Sequence, residues 1–326
     1  MSKALIMFTI CIGIVFGCDS TDDTSDSEAA EAYDTRTSFD TRCEAVTASV
    51  DDAGFTSVAV TCDDNYAYIT SDTYPDHDLM NGITGTNEQI PVPAKDYSAP
   101  IKLSPEGTSN LTTIDAALGV AVNGVPIYDY SAAGELDVET YDEAVDTTLL
   151  GQLDNCGGHA GRGDDYHYHA SPTCMIENMS NSGDSAVIGW AYDGYPIYGN
   201  NNPDGSTITT GELDTCNGKS DEIYGYRYHT SEVAPYILQC LRGEIDDSVL
   251  PRVAPMQGRT DGRPPEGGVT NLTHTISNGG TRLEYTYQNQ TYYLQYSESD
   301  TANCYDFETR TVTNNGEVVV GEYCRE

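Results

Sequence analysis

The sequence predicts a mainly β fold: tandem-duplicated β-hairpin units packed as one disulfide-bonded β-rich body, with a small C-terminal β-meander. Three observations predict it. Residues 118–128 match residues 188–198 without a gap, so a unit is repeated. Each copy places Asn-Gly or Asp-Gly between short apolar runs, which is the strongest short-range signal for a hairpin. Long amphipathic helical periodicity is absent.

The duplication continues past the hairpins to a cysteine and a tyrosine-flanked strand. Residues 151–156 align with residues 211–216, and Tyr-His-Tyr-His at 166–169 aligns with Tyr-Arg-Tyr-His at 226–229. Each copy then closes with its own cysteine. We therefore expect internal repeats over residues 118–174 and 188–240.

Local chemistry predicts how each repeat is built. Asn123-Gly124 and Asp193-Gly194 both suit a type I′ turn, in which both central residues need positive φ. The Tyr-His-Tyr-His segment alternates, so its histidines should lie on one face of a strand and its tyrosines on the other. Beyond the repeats, residues 251–326 are expected to form a connector and the C-terminal strands.

The first residues indicate export. Residues 1–17 have a positive start and a short apolar run, which is typical of a signal peptide and too short for a comfortable membrane span. Cys18 follows a small residue, as the lipid-modified first residue of a mature lipoprotein does; ordinary cleavage is the alternative. The acidic residues 18–42 are expected to be a flexible tether, with a β domain over residues 43–250. The chain is thus expected to be a lipoprotein of the bacterial cell envelope, or secreted.

Cysteine usage supports an oxidising compartment. Once the signal peptide and Cys18 are set aside, an even number of cysteines remains in four local pairs, which favours disulfides between neighbours. These cysteines are Cys43, Cys62, Cys156, Cys174, Cys216, Cys240, Cys304 and Cys324.

The charge balance limits the partners. Acidic residues outnumber basic ones 52 to 15, for a net charge of −37. Nucleic-acid binding is excluded, because contact with phosphates needs a basic face. Membrane contact is expected through the lipid anchor only, and a small-molecule or cell-surface partner is left open.

Histidines on the alternating strand predict a metal site. His167 and His169 should lie about 6–7 Å apart on one strand face, a spacing at which both imidazoles reach one ion. His229 is the positional twin of His169 and would face it if the copies packed about a pseudo-two-fold axis. Imidazoles are ligands for zinc, copper or non-haem iron, and we favour copper or zinc. The alternative is a partly buried strand whose histidines bond to carbonyl groups.

Other polar residues could assist this site. His159, in a glycine-rich loop, and His77, between two aspartates, are candidate auxiliary ligands. Arg227 replaces a histidine in the second copy and could bind an anionic substrate, or form a salt bridge. The acidic loop 202–205 could bind calcium, although it lacks EF-hand spacing.

The segment Asp165–Pro172 resembles the YHYH-domain family, which is named for this tetrapeptide. The likeness extends over about residues 65–245 and includes the Asn-Gly-Val-Pro-Ile-Tyr hairpin and the Cys-Gly-Gly-His segment ending at His159. Arg227 departs from the second His-x-His that the family often has. The resemblance implies a secreted or surface-attached protein and no particular reaction.

Two functions follow as hypotheses. The first is a histidine-cluster transition-metal site that only binds the ion or also supports catalysis. The second is a non-catalytic surface module that binds glycans or a partner protein through tyrosine-rich β faces.

Overall fold

The computed structural model describes residues 39–132, 134, 136–161, 163–253, 256, 265–277 and 279–325. The predicted signal peptide, Cys18 and most of the predicted tether lie outside these residues. Within them the fold is mainly β, as predicted, with four sheets and only two α-helices, α1 (Arg42–Ala53) and α2 (Thr173–Asn178).

A small N-terminal layer precedes the repeats. Three antiparallel strands, β1 (Ala59–Cys62), β2 (Tyr66–Ser71) and β3 (Tyr97–Lys102), form one sheet. The strand β4 (Gly107–Thr112) comes next in the chain and belongs to a separate two-stranded sheet.

Helix α1 was not predicted from the sequence, in which residues 18–42 are expected to be tether. Thr41 caps the helix and Glu44 bonds back to the cap, so the last tether residue, Arg42, is already helical. This capping box satisfies two backbone N–H groups that the first turn leaves unpaired. Trp190 donates to Ser49 at 2.9 Å, which fastens the helix to the second repeat.

The two repeats form one eight-stranded sheet. The first repeat contributes β5 (Gly119–Ala121), β6 (Pro126–Ile127), β7 (Gly158–Ala160) and β8 (Tyr166–Tyr168). The second contributes β9 (Gly189–Ala191), β10 (Pro196–Tyr198), β11 (Gly218–Asp221) and β12 (Gly225–His229). The strand order is β11-β12-β10-β9-β5-β6-β8-β7. From the centre of the sheet outward, the equivalent strands of the two repeats therefore follow in the same order.

The duplicated hairpins meet at the centre of this sheet. Strands β5 and β9 pair antiparallel with Val120 opposite its repeat equivalent Trp190, which places a pseudo-two-fold axis between them. The condition set for a shared site, that the two copies pack about such an axis, is therefore met.

The hairpin turns differ in type from the prediction. Gly124 and Gly194 have φ of 79° and 92°, but Asn123 and Asp193 are not among the residues with positive φ. Type I′ is therefore wrong, because it requires positive φ at both central residues. In each copy the glycine N–H bonds to the carbonyl group three residues earlier, which fits a type I turn followed by a left-handed glycine.

The disulfides join neighbours along the chain, as the local pairing predicts. They link Cys43 to Cys62, Cys156 to Cys174, Cys216 to Cys240 and Cys304 to Cys324. Each repeat thus has one bridge of its own, which joins the turn before β7 or β11 to the segment that follows β8 or β12.

The end of the chain forms the predicted meander. After β13 (Leu241–Gly243), which pairs with β4, and a short 3₁₀ helix (Asp247–Val249), five strands pair in sequence order. They are β14 (Thr270–Ser277), β15 (Gly280–Tyr287), β16 (Gln290–Glu298), β17 (Cys304–Arg310) and β18 (Val318–Cys324).

Two buried side chains connect the meander to the first repeat and its neighbours. Glu88 accepts from the backbone N–H groups of Val312 and Thr313 at 2.6 and 3.0 Å. Arg325 is 4 % exposed and donates to carbonyl groups that include those of Gly163 and Asp164. The meander therefore packs against the loop that leads into β8.

Candidate metal centre

The alternating strand behaves as its pattern predicts. Tyr166 and Tyr168 are buried on one face, where the Tyr166 hydroxyl donates to Asp154 at 2.8 Å and the Tyr168 hydroxyl accepts from Asn123 at 3.0 Å. The histidines of the strand lie on the other face. Because these tyrosines are enclosed, they offer no face to a glycan or a partner protein.

A third histidine comes from the neighbouring strand. His159 on β7 lies directly opposite His167 on β8, and residues opposite each other in an antiparallel pair share a face. The three ring centroids of His159, His167 and His169 are 4.8–5.0 Å apart. One ring nitrogen of each lies within 4.8 Å of those of the other two. We call these residues the histidine triad.

The spacing fits a single ion. The Nε2 atoms of His159 and His169 are 3.2 Å apart. Two nitrogen ligands of one tetrahedral zinc ion, each bound at about 2.0–2.1 Å, are separated by about 3.3 Å. These two rings therefore need little movement to share an ion.

In two of the rings, a hydrogen-bond partner at Nδ1 determines which ring nitrogen carries the proton. His169 Nδ1 bonds to the carbonyl oxygen of Asp129, and His167 Nδ1 lies 3.3 Å from the Asp165 carboxylate. A carbonyl or carboxylate acceptor holds the proton on Nδ1 and leaves the lone pair on Nε2, as is usual for metal-bound histidine. Asp165 and Asp129, which contact the triad in this way, were not predicted from the sequence.

Burial keeps two histidines of the triad, His159 and His169, uncharged. It lowers the pKa of His159 well below its usual value, and the neighbouring His167 and His169 lower it further. Burial also lowers the pKa of His169 to about 3, with a smaller contribution from His167. Near neutral pH these two rings are therefore neutral imidazoles, which is the form that binds metal ions.

The triad opens onto a cavity of about 450 Å³. Tyr128, whose ring centroid is 4.3 Å from that of His167, lies beside the triad in the cavity wall. Further polar side chains line the same cavity, namely Asn87, Gln89, Asp115, Asp129, Asp165 and Arg252. A bound ion would therefore be accessible to a small molecule.

His229 does not join the triad. Four strands separate β12 from β8 in the sheet, a distance of about 24 Å at about 4.8 Å per strand. The expectation that His229 faces His169 is therefore wrong. The axis lies between β5 and β9, and the histidine strands are placed away from it on either side.

His77 and Arg227 also have other roles. His77 Nε2 bonds to the Tyr168 hydroxyl at 2.8 Å on the tyrosine face, and its cysteine neighbours Cys156 and Cys174 are joined as a disulfide, which has no thiolate to offer an ion. Arg227 is 0 % exposed. It therefore lacks the access to solvent that its predicted role in binding an anionic substrate requires.

The loop predicted as a calcium site makes internal bonds. The Asn202 side-chain oxygen accepts from Arg227 at 2.9 Å, and Asp204 accepts from the backbone N–H of Ser206 at 2.9 Å. Calcium binding at this loop stays a prediction.

The triad lies in a region that matches a known protein family. Residues 96–208 match the family model described as "YHYH protein". The chain contains a YHYH domain. The matched region includes the whole histidine triad and ends before Arg227 and His229. No curated protein and no solved structure matched the chain in these comparisons. Within the part of the chain that the structure describes, no helix has both the length and the apolar character needed to span a membrane.

Proposed function

We propose that the YHYH domain binds one transition-metal ion, zinc or copper, through one ring nitrogen each of His159, His167 and His169. The observation that carries this proposal is the convergence of three buried imidazoles within 4.8 Å, two of them with an acceptor behind Nδ1. A set of imidazole ligands suits zinc or copper better than magnesium or calcium, which prefer oxygen.

The site is proposed to be reactive or exchangeable rather than purely structural. Structural zinc sites are closed by four protein ligands, whereas catalytic sites have three and leave a position for water or substrate. The triad offers three ligands and opens onto the cavity. An ion held there would supply Lewis acidity or redox chemistry. The chain's own contribution is to orient the rings and to present Tyr128 and Asp129 beside them.

We also propose that the protein acts at the cell envelope, anchored through a lipid on Cys18. Four disulfides support an oxidising compartment. In the native host, Cys18→Ser should move the protein from the membrane fraction to the soluble fraction. Unchanged fractionation would refute the anchor and leave the metal proposal standing.

The test of the metal proposal is elemental analysis of the purified chain, without an affinity tag, after dialysis against zinc or copper. We expect about one equivalent in the wild type and none in His159→Ala/His169→Ala. His274→Ala is the matched control, because His274 is a half-buried histidine on β14 outside the triad. A wild type that binds neither metal, or a double variant that binds as well as His274→Ala, would refute the proposal.

A further inference from the structure

The second repeat reproduces the framework of the triad. His229 Nδ1 bonds to the carbonyl oxygen of Gly199 at 2.9 Å, just as His169 Nδ1 bonds to that of Asp129. Gly199 and Asp129 are equivalent positions of the two repeats. The lone pair of His229 Nε2 is therefore directed as that of His169 is.

The tyrosine face is also reproduced. Tyr226 donates to Asp214 at 2.9 Å, as Tyr166 donates to Asp154 at 2.8 Å. In each repeat this aspartate also accepts from two backbone N–H groups. Asp154 accepts from Cys156 and Gly158, and Asp214 accepts from Cys216 and Gly218. The two frameworks are thus alike on both faces of the strand.

The two repeats differ in the ligands. Lys219 takes the place of His159, and Arg227 takes the place of His167. Arg227 Nε donates to His229 Nε2 at 3.0 Å, where the first repeat has the 3.2 Å contact between His159 and His169.

The guanidinium of Arg227 is fully enclosed by acceptors. Besides His229, it contacts the Asn202 side-chain oxygen at 2.9 Å, the Asp221 carboxylate at 2.8 Å and the Gly225 carbonyl oxygen at 3.2 Å. A buried charge is tolerated only when it is paired and hydrogen-bonded in this way. The positive charge of Arg227 lies at the Nε2 lone pair of His229, where a metal ion would otherwise bind.

We infer that the second repeat is a metal site in which the guanidinium of Arg227 has replaced the ion. This rests on the proposed function of the first repeat. The buried lone pair of His229 Nε2 needs a donor or a cation, and the Arg227 Nε–H supplies a permanently charged donor at 3.0 Å. The two repeats together therefore bind one transition-metal ion and not two, and the second repeat holds its histidine in place without a metal ion.

The test restores histidines at the two replaced positions. Lys219→His/Arg227→His in the full chain should bind about two equivalents of cobalt(II), used as a spectroscopic probe, against about one for the wild type. Lys219→Ala/Arg227→Ala is the matched control, since it removes the cation without supplying imidazoles, and should stay at about one. Near-ultraviolet circular dichroism checks that each variant is folded.

The same variant separates the two proposals. With His159→Ala/His169→Ala added, it should keep about one equivalent, bound in the second repeat. A wild type without cobalt, beside a restored variant that binds one equivalent, would refute the proposed function alone. A folded restored variant that gains nothing over the alanine control overturns the inference.

A measurement on the unmodified chain covers the case in which the restored variant does not fold. In ¹⁵N-resolved NMR, zinc should shift the ring signals of His169 and leave the signals of His229 and the Arg227 Nε–H unchanged. Equal shifts at His169 and His229 would overturn the inference, because His229 would then bind the ion itself.

Discussion

The carboxylate behind His167 gives the sharpest single-residue prediction. Asp165 lies 3.3 Å from His167 Nδ1, and both side chains are buried, at 4 % and 7 % exposure. Asp165→Asn keeps the size of the side chain but removes its charge. The amide then holds the Nδ1 proton less strongly and makes the ring a poorer ligand.

We expect the variant to lose about 10- to 100-fold in metal affinity, which is the usual effect of removing such a partner. This corresponds to about 1.4–2.7 kcal/mol of binding free energy. The assay is competition for zinc with a chromophoric chelator, which reports the dissociation constant directly.

Asp115→Asn is the matched control for Asp165→Asn. Asp115 lines the same cavity, and its carbonyl oxygen accepts from Arg252. This variant removes one negative charge near the site without changing the hydrogen bond to His167, so its effect measures the general electrostatic contribution. The reasoning is refuted if Asp165→Asn binds zinc as tightly as Asp115→Asn does.

Three further perturbations test the packing, protonation and support of the triad. A Cβ at Gly161 would lie 2.3 Å from His167 Cε1, so Gly161→Ala should displace that ring and abolish tight zinc binding; Gly199→Ala, where nothing lies within 4 Å, should not. In the metal-free protein, the pKa of His169 is about 3 in the folded state and about 6.5 in the unfolded state. As pH falls below about 6.5, the unfolded chain therefore binds more protons than the folded chain. Urea unfolding should then show a stability loss of up to about 1.4 kcal/mol per pH unit from this residue, and His169→Gln should reduce that slope; an unchanged slope would contradict it. Arg325→Ala removes the Arg325 donor to the carbonyl group of Gly163 and one of the two donors to that of Asp164. We therefore expect about 2–4 kcal/mol of lost stability by urea unfolding and weaker zinc binding, and wild-type values for both would contradict the supporting role.

The hairpins, the duplication and the bridges were accessible from sequence because they depend on local chemistry. Turn dipeptides, strand alternation and cysteines at short separation act between residues that are close in the chain. Even so, the turn type was wrong, because Asn123 uses its side chain to bond Tyr168 and Val125 and avoids positive φ. Helix α1 was also readable, through the capping pair Thr41 and Glu44.

The grouping of the histidines was harder to predict from the sequence, because it depends on strand order. His169 and His229 are twins in sequence, yet the sheet places them on opposite sides of the axis. The third histidine of the triad, His159, was predicted only as an auxiliary group, since its register opposite His167 is a long-range pairing. Asp165 did carry a signal, because it lies two residues before His167 and shares its strand face.

X-ray absorption at the metal edge would show whether three imidazoles of one repeat hold one ion. Zinc- or copper-loaded protein should show three imidazole nitrogens at about 2.0–2.1 Å, and the imidazole scattering should vanish in His159→Ala/His169→Ala. A spectrum with only oxygen neighbours, or one with imidazole scattering that the double variant retains, would contradict the account.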